Sequence, residues 1–381
     1  MRLIWQSNAP FNTSAYAKQT LLFLPRIIAA GYEIAAISAP YSFGGVLNWD
    51  GIPMVGASRD TAGCDTIIPN HEYFGADWTI VLADPFGLLK AAKELSQIRL
   101  AALFPVDCNP LGEGDVTFLR DSQAVPVAVS RFGERVLRAE GADPLYAPHG
   151  VDTDLYFPGD PGPFRDTIPG ASESTFIAGV VAMNRDLQRK SFAEIMLAFS
   201  RFHARHPDSI LALHTSPVNN PGLNLSGLAA RLGIGASVNW PDAYSYDLGL
   251  ITEEQMVAFY RGIDVLVFPS YGEGFGLPAV ESQACGTPVI LNDASAQSEL
   301  CGSGWLVDGS PWWSPGHGAW WRRPDPADIE QALEQAWQAR EDGRMPGLGA
   351  SARAFALNYD IDRVFEQFMV PVLKELEARI S

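Results

Sequence analysis

Two carboxylates, Glu273 and Glu281, stand eight residues apart across a glycine-rich turn, in the run Pro269-Ser270-Tyr271-Gly272-Glu273-Gly274-Phe275-Gly276-Leu277-Pro278-Ala279-Val280-Glu281. Glycines let a backbone approach a ligand closely. A helix predicted from about Pro278 would turn its free N–H groups and partial positive charge toward a phosphate. Carboxylates on either side of such a turn offer acceptors that suit sugar hydroxyls. The Gly272-x-Gly274-x-Gly276 spacing is wrong for the dinucleotide-binding G-x-G-x-x-G, and it lies far from the first strand–helix unit.

A cation pair is the second chemical signal. Arg185 and Lys190 lie five residues apart in the loop after a predicted strand at Thr175–Ala182. Both heads can converge on one anion there; taken alone, the pair reads as a solvated loop, and only the surrounding motifs favour the anion. Asp107, in Phe104-Pro105-Val106-Asp107-Cys108-Asn109-Pro110, could hold a hydroxyl, accept a proton, or simply cap its loop. His214 follows a predicted strand at Ser209–Leu213 and could face a cleft. Asp152-Thr153-Asp154 has a metal-binding D-x-D form.

These groups need elements to carry them. Short apolar runs at Arg2–Trp5, Glu33–Ser38, Trp78–Leu82, Leu100–Phe104 and Val125–Ser130 alternate with helical stretches such as Ala15–Ala30. The alternation resumes after Thr175, with strands at 238–240, 264–268 and 288–291 and helices at 191–206, 226–232, 252–261 and 278–285. Such alternation implies parallel sheets with helices on both faces. Pro158–Gly170 holds four Pro and three Gly and reads as a linker. Gly304–Pro324 carries five of the ten Trp with four Gly and three Pro, and reads as a loop. Its rings either pack that loop onto its own domain or form an aromatic platform for a sugar, a partner or a lid. The last stretch, Ile361–Ile380, is expected to be an amphipathic helix kinked at Pro371.

Composition bounds the rest. A chain of 381 residues with 47% apolar content is too hydrophobic for disorder and long enough for two domains. The net charge of −17 opposes a nucleic-acid grip without excluding one. No apolar run approaches the roughly 20 residues of a membrane span. The N-terminus lacks a signal-peptide core, and four sparse cysteines fit reduced thiols, so a cytoplasmic protein is expected.

The string from Glu273 to Glu281 resembles the E-x7-E motif of GT-B glycosyltransferases, in particular the retaining, glycogen-synthase-like family 4. Three further segments match in order. Pro148-His149-Gly150-Val151-Asp152 through Phe157-Pro158 resembles the family's interdomain crossing, and Asn184-Arg185-x4-Lys190 its R-x4-K loop. Asn8-Ala9-Pro10 through Tyr16-x-x-Gln19-Thr20 is similar to a first-domain loop of a subgroup that includes phage-encoded proteins. This chain has Ser14-Ala15-Tyr16-Ala17 where that subgroup favours Thr-Gly-Tyr-Gly. Either the loop keeps a negative φ here, or the donor sits differently.

The resemblance implies two facing Rossmann-like doubly wound domains around a cleft. The acceptor-side domain would span 1–160 plus 360–381, and the donor domain 172–359. It implies transfer of a sugar from a UDP- or GDP-linked donor to an acceptor hydroxyl, with retention and without metal or cofactor. Arg185 and Lys190 would neutralise the diphosphate. Glu273 would contact the donor sugar, Glu281 the ribose, and the backbone of Gly274, Phe275, Gly276 and Leu277 the sugar and phosphates. Ser14, Ala15, His214 and Asp242 would complete the donor site, with Asp107 on the acceptor side. The acceptor stays open among a glycan, a protein, a small molecule and a modified nucleobase. A non-catalytic binding module and a phosphorylase are the competing readings.

Overall fold

The computed structural model describes residues 1–40 and 42–380 and divides into two compact units. Unit 1 comprises Met1–Gly150, Trp313–Trp320 and the chain from Asp360 onward. Unit 2 comprises Val151–Trp312 and Trp321–Tyr359. The division falls at Gly150/Val151, ahead of the Pro- and Gly-rich segment, which itself contains a short helix at Gly162–Arg165.

Unit 1 is built on eight strands: β1 (Arg2–Gln6), β2 (Glu33–Ser38), β3 (Val46–Trp49), β4 (Ile52–Val55), β5 (Trp78–Leu82), β6 (Leu100–Phe104), β7 (Val125–Ala128) and β8 (Leu145–Tyr146). Their order is β3-β4-β2-β1-β5-β6-β7-β8, parallel except for the β3–β4 hairpin. Every residue of β5 and β6 is buried, as expected of parallel strands covered on both faces. The Trp5 indole N–H meets its need for a partner at Thr20 Oγ1, 3.0 Å away on the first helix. That helix, Ala15–Ala29, is capped by Ser14, whose Oγ accepts from Ala17 N at 3.1 Å.

The chain from Asp360 packs within unit 1. Gly150 abuts Ile361 so closely that a Cβ would lie 2.4 Å from Ile361 Cδ1. The Gln19 side chain bonds both the N–H and the carbonyl of Gly150. Arg26 pairs with Asp362 at 2.6 Å. The expected kink at Pro371 takes another form. Phe365–Met369 makes one π-helical turn, and Pro371 sits in the first turn of the Val370–Ala378 helix. A widened turn accommodates a ring that lacks an N–H and crowds the preceding carbonyl.

Unit 2 carries a six-stranded parallel sheet of β9 (Phe176–Val181), β10 (Ser209–His214), β11 (Val238–Asn239), β12 (Val265–Val267), β13 (Val289–Asn292) and β14 (Gly304–Val307). The order is β11-β10-β9-β12-β13-β14. Phe176, Phe199, Phe202, Leu211, Val265 and Leu333 lie in its core; burying each such side chain is worth about 1.5–3 kcal/mol. The Glu253–Gly262 helix begins with a full capping box between Thr252 and Gln255.

The Trp-rich segment is a correction. Instead of a loop, it holds β14 and a two-stranded sheet of β15 (Gly309–Ser314) and β16 (Ala319–Pro324). Alternation along these strands separates the indoles into two pairs. Trp312 stacks on Trp321 at 5.7 Å and meets Tyr271 at 5.6 Å, whereas Trp313 packs edge-on to Trp320 at 5.1 Å and both stay exposed. The Gly and Pro residues that suggested a loop lie mostly at the strand ends and in the connecting turn.

Candidate active site

The strand order of unit 2 reverses at β9: the chain runs outward through β10 and β11, then returns to pair β12 with the other edge of β9. Open α/β sheets bind ligands beyond the carboxyl ends of their strands at such a switch point. The loop after β9 carries Arg185, Arg189 and Lys190, and the turn after β12 carries Glu273. Lys190 Nζ donates to Glu273 Oε1, and Arg189 donates from one guanidinium nitrogen to Glu273 Oε2 at 3.3 Å and to the Gly272 carbonyl at 3.4 Å.

Both loops are fixed from behind. Asn184 is buried and ties the β9 loop down through Thr215, Ser216 and Leu223. Ser191 adopts φ 49°, and its Oγ donates to the Pro269 carbonyl at 2.6 Å, while Tyr271 N donates to Arg189 O at 2.8 Å. On the β12 side, the Ser270 carbonyl accepts from both Asn292 and Gln297, and Glu273 N donates to Ser295 Oγ at 2.9 Å. The Tyr271 hydroxyl donates to buried Glu194, which Arg323 also contacts.

The electrostatics follow from burial. Glu273 is 7% exposed, and burial alone would push its carboxyl up; the Lys190 and Arg189 charges outweigh that and hold it below the usual carboxylate range. Burial and the neighbouring Arg189 lower Lys190, opposed by Glu273.

Gly276 ends the turn at φ 115°, a conformation other residues adopt only with strain, and the Leu277–Ala284 helix starts from it. Phe275 and Leu277 are buried, Phe275 against Tyr359 at 5.6 Å, so only their backbones are available to a ligand. Glu281, on the same helix, is buried and accepts from the Tyr260 hydroxyl at 2.7 Å.

The other expected positions are spread more widely. Arg185 is exposed, and its charge acts on the phenol of Tyr246, beside the end of β10. The His214 ring packs edge-on to Tyr246 at 5.3 Å and Phe259 at 6.0 Å. Asp242 caps a short helix, accepting from Ser245 N and Oγ, which holds its carboxyl low. Gly274 lies between Glu273 and Phe275 in the turn. Ser14, Ala15 and Asp107 belong to unit 1. Ser14 holds φ −122° and Ala15 begins the first helix, so the loop keeps its negative φ without glycine. Asp107 follows β6 and raises the neighbouring Cys108 thiol, itself strongly shifted up by burial. Arg189 escaped the sequence reading because the R-x4-K spacing drew attention to Arg185; its adjacency to Lys190 was the available signal.

Two parallel-sheet units of this kind define the GT-B fold of glycosyltransferases, and solved structures share it. Sucrose-phosphate synthase from Thermosynechococcus elongatus superposes with a TM-score of 0.77 at 16% identity, covering 99% of both chains. Anabaena HepE in complex with UDP-glucose gives 0.70 at 15% identity, covering 98% of this chain and all of that one.

The stretch that carries the crevice, residues 180–345, matches the family model of glycosyl transferases group 1. The D-inositol 3-phosphate glycosyltransferase of Rhodococcus jostii is 30% identical over 325 residues, 79% of this chain and 65% of that protein. Its counterpart in Mycobacterium sp. (strain JLS) is 32% identical over 213 residues, 53% of this chain and 45% of that one. The chain thus spans between about half and two thirds of the length of these relatives. Among the described residues, no helix is long and apolar enough to cross a membrane.

Proposed function

We propose that the chain transfers a sugar from a nucleoside diphosphate donor to an acceptor hydroxyl. The observation that carries this reading is the Lys190–Glu273–Arg189 constellation at the β9/β12 switch point, beside the start of the Leu277–Ala284 helix. In the reaction, the bond between the anomeric carbon and the diphosphate oxygen breaks. A bond from that carbon to the acceptor oxygen forms, and the hydroxyl proton leaves with the diphosphate or to a base.

Each residue has a role in this proposal. Lys190, with Arg189 and Arg185, balances the charge that grows on the departing diphosphate. Cations held in place before the reaction need no reorganisation when that charge appears. Glu273 orients donor hydroxyls and offsets positive charge at the anomeric carbon. Glu281, held by Tyr260, is assigned to the ribose, His214 and Asp242 to the nucleotide side, and Ser14, Ala15 and Asp107 to unit 1's share. Retention, and independence from metal and cofactor, are part of the same proposal.

UDP-sugars are the donors to try first, since HepE was solved with UDP-glucose and the glycosyl transferases group 1 match covers the crevice. The relatives' name points to a cyclitol phosphate, inositol 3-phosphate, as one acceptor class. A glycan, a protein and a modified nucleobase are the others, the last disfavoured by the net charge of −17. Incubation with UDP- and GDP-sugars, following release of the nucleoside diphosphate, tests the reading. Turnover that falls at least 100-fold in Glu273→Ala supports it. Absence of release and of thermal stabilisation with every donor overturns it.

A further inference from the structure

The base of the β15–β16 sheet, Trp312 and Trp321–Pro324, lies in unit 2 beside the Glu273 turn. It holds Tyr271, two residues before Glu273, from two sides. The Arg322 N–H donates to the Tyr271 carbonyl at 3.1 Å. The Tyr271 hydroxyl donates to Glu194 Oε1 at 2.8 Å, and Arg323 Nε donates to the same oxygen at 2.9 Å. The Trp312 ring stands edge-on to the phenol and stacks in turn on Trp321. Asn292 closes the bracket, since its side-chain amide donates to the carbonyls of Ser270 and Arg322 at 2.9 and 2.7 Å.

Glu194 belongs to the other side of the crevice. It lies in the first turn of the Phe192–Arg205 helix, four residues after Lys190. The Tyr271–Glu194 bond therefore joins the two segments that carry Glu273 and Lys190, one step behind the ion pair those residues form. The main chain adds a link in the same place, from Tyr271 N to the Arg189 carbonyl. Tyr271 and Glu194 are 3% and 5% exposed, so their bond is shielded from water and neither side chain is open to a ligand. A hydrogen bond to an ionised acceptor is among the stronger ones. Burial, and then the Glu194 carboxylate, raise the phenol above its ordinary value, so it keeps its proton and stays a donor at neutral pH. A misplacement of about 1 Å caused far from the chemistry can cost about a hundredfold in rate, so a bond that fixes this spacing matters to turnover.

We propose that Tyr271 and Glu194 are positioning residues: their hydrogen bond, braced by Arg323 from the base of the hairpin, sets where Glu273 stands relative to Lys190, and with it the turnover of the donor. The inference rests on the glycosyl-transfer reading above for the reaction it serves. It gives part of the Trp-rich segment a task other than stacking on a sugar, because Trp312 and Trp321 pack the brace against the turn. A purely structural bond and a positioning bond both stabilise the fold. They differ in whether the loss of the bond is felt at the ion pair.

The test is a double-mutant cycle on the full chain. Tyr271→Phe removes the hydroxyl and keeps the ring against Trp312. Urea unfolding of the wild type, Tyr271→Phe, Glu273→Gln and the double variant is followed from pH 7 to pH 3. A positioning bond makes the two substitutions non-additive. The stability loss from Glu273→Gln should be at least halved in the Tyr271→Phe background. The fall in stability with acid should shrink with it, because a looser pair depresses the Glu273 carboxyl less. Release of UDP from UDP-glucose is the kinetic arm. Tyr271→Phe and Glu194→Ala should each lower turnover at saturation at least tenfold, while UDP affinity by calorimetry changes less than threefold, since the cations stay on their own loop. Glu194→Gln, whose amide oxygen can still accept from the phenol and from Arg323, should keep at least a third of wild-type turnover. Additive losses, or wild-type turnover in Tyr271→Phe, overturn the inference. A wild-type chain inert toward UDP-glucose counts against the donor reading alone; the unfolding cycle then decides the positioning by itself, non-additivity supporting it and additivity overturning it.

Discussion

Lys190 and Glu273 form a salt bridge across the loops that follow β9 and β12, with side chains only 12% and 9% exposed. Arg189 reaches the other oxygen of the same carboxylate. Lys190 and Glu273 are 83 residues apart in sequence, yet neighbouring strands place two cations and one anion at a single crevice.

Removing one partner should cost more than removing both. Lys190→Ala leaves a buried carboxylate with Arg189 as its remaining cation, and a loss of about 3 kcal/mol is expected in urea unfolding. Glu273→Gln added to it should return part of that loss. The Glu273 carboxyl is depressed in the folded state. Its stabilising contribution is therefore present above the free value of about 4.3 and disappears as pH falls through the lower, folded value. Unfolding followed from pH 7 to pH 3 should show this fall in the wild type and not in Glu273→Gln.

Gly276→Ala forces a Cβ into φ 115° at the start of the Leu277–Ala284 helix. The nearest atom, in Phe268, lies at an ordinary 3.4 Å, so the cost is conformational, about 1–3 kcal/mol. If the backbone relaxes to avoid it, the N–H groups assigned to the donor phosphates shift. Affinity for UDP should then fall at least tenfold, measured by calorimetry.

Asp115 gives an opposite pH signature to Glu273. Its carboxyl is raised to about 7, so folding is penalised above that pH and the penalty fades as pH falls toward the unfolded value near 3.9. Asp115→Asn removes the penalty. The variant should gain on the wild type as pH rises from about 4 to about 7, by up to about 1.4 kcal/mol per pH unit, and keep a constant advantage above that, in paired denaturation curves.

Tyr260→Phe deletes the 2.7 Å hydrogen bond to the buried Glu281 carboxylate. A stability loss of about 1–3 kcal/mol is expected. Because Glu281 is assigned to the ribose, the KM for a donor should rise while turnover at saturation changes little. Steady-state kinetics separate the two.

The sequence exposed the parallel sheets because buried parallel strands are continuous apolar runs, such as Phe176–Val181 and Val289–Asn292, flanked by glycine and polar turns. The Glu273 turn and the Lys190 loop were visible as motifs. Their pairing was not, since it depends on β12 returning to the edge of β9. Arg189 stood beside Lys190 in the sequence, but its contact with the same carboxylate depends on that geometry. The β15–β16 sheet was hidden by four Gly and three Pro in Gly304–Pro324, residues that mark turns without telling which strands they join. Asp115 had no motif at all; its burial and orphaned oxygen exist only once the Glu113–Ser122 helix and the hairpin turn come together.

The central claim is that the crevice between β9 and β12 holds a nucleoside diphosphate through its cations. Calorimetric titration with UDP and UMP, on the wild type and on Lys190→Ala, tests it most directly. UDP is expected to bind at least tenfold more tightly than UMP, and Lys190→Ala to remove most of that difference. Equal affinity for the two nucleotides in the wild type, or a preference for UDP untouched by the substitution, would contradict the account.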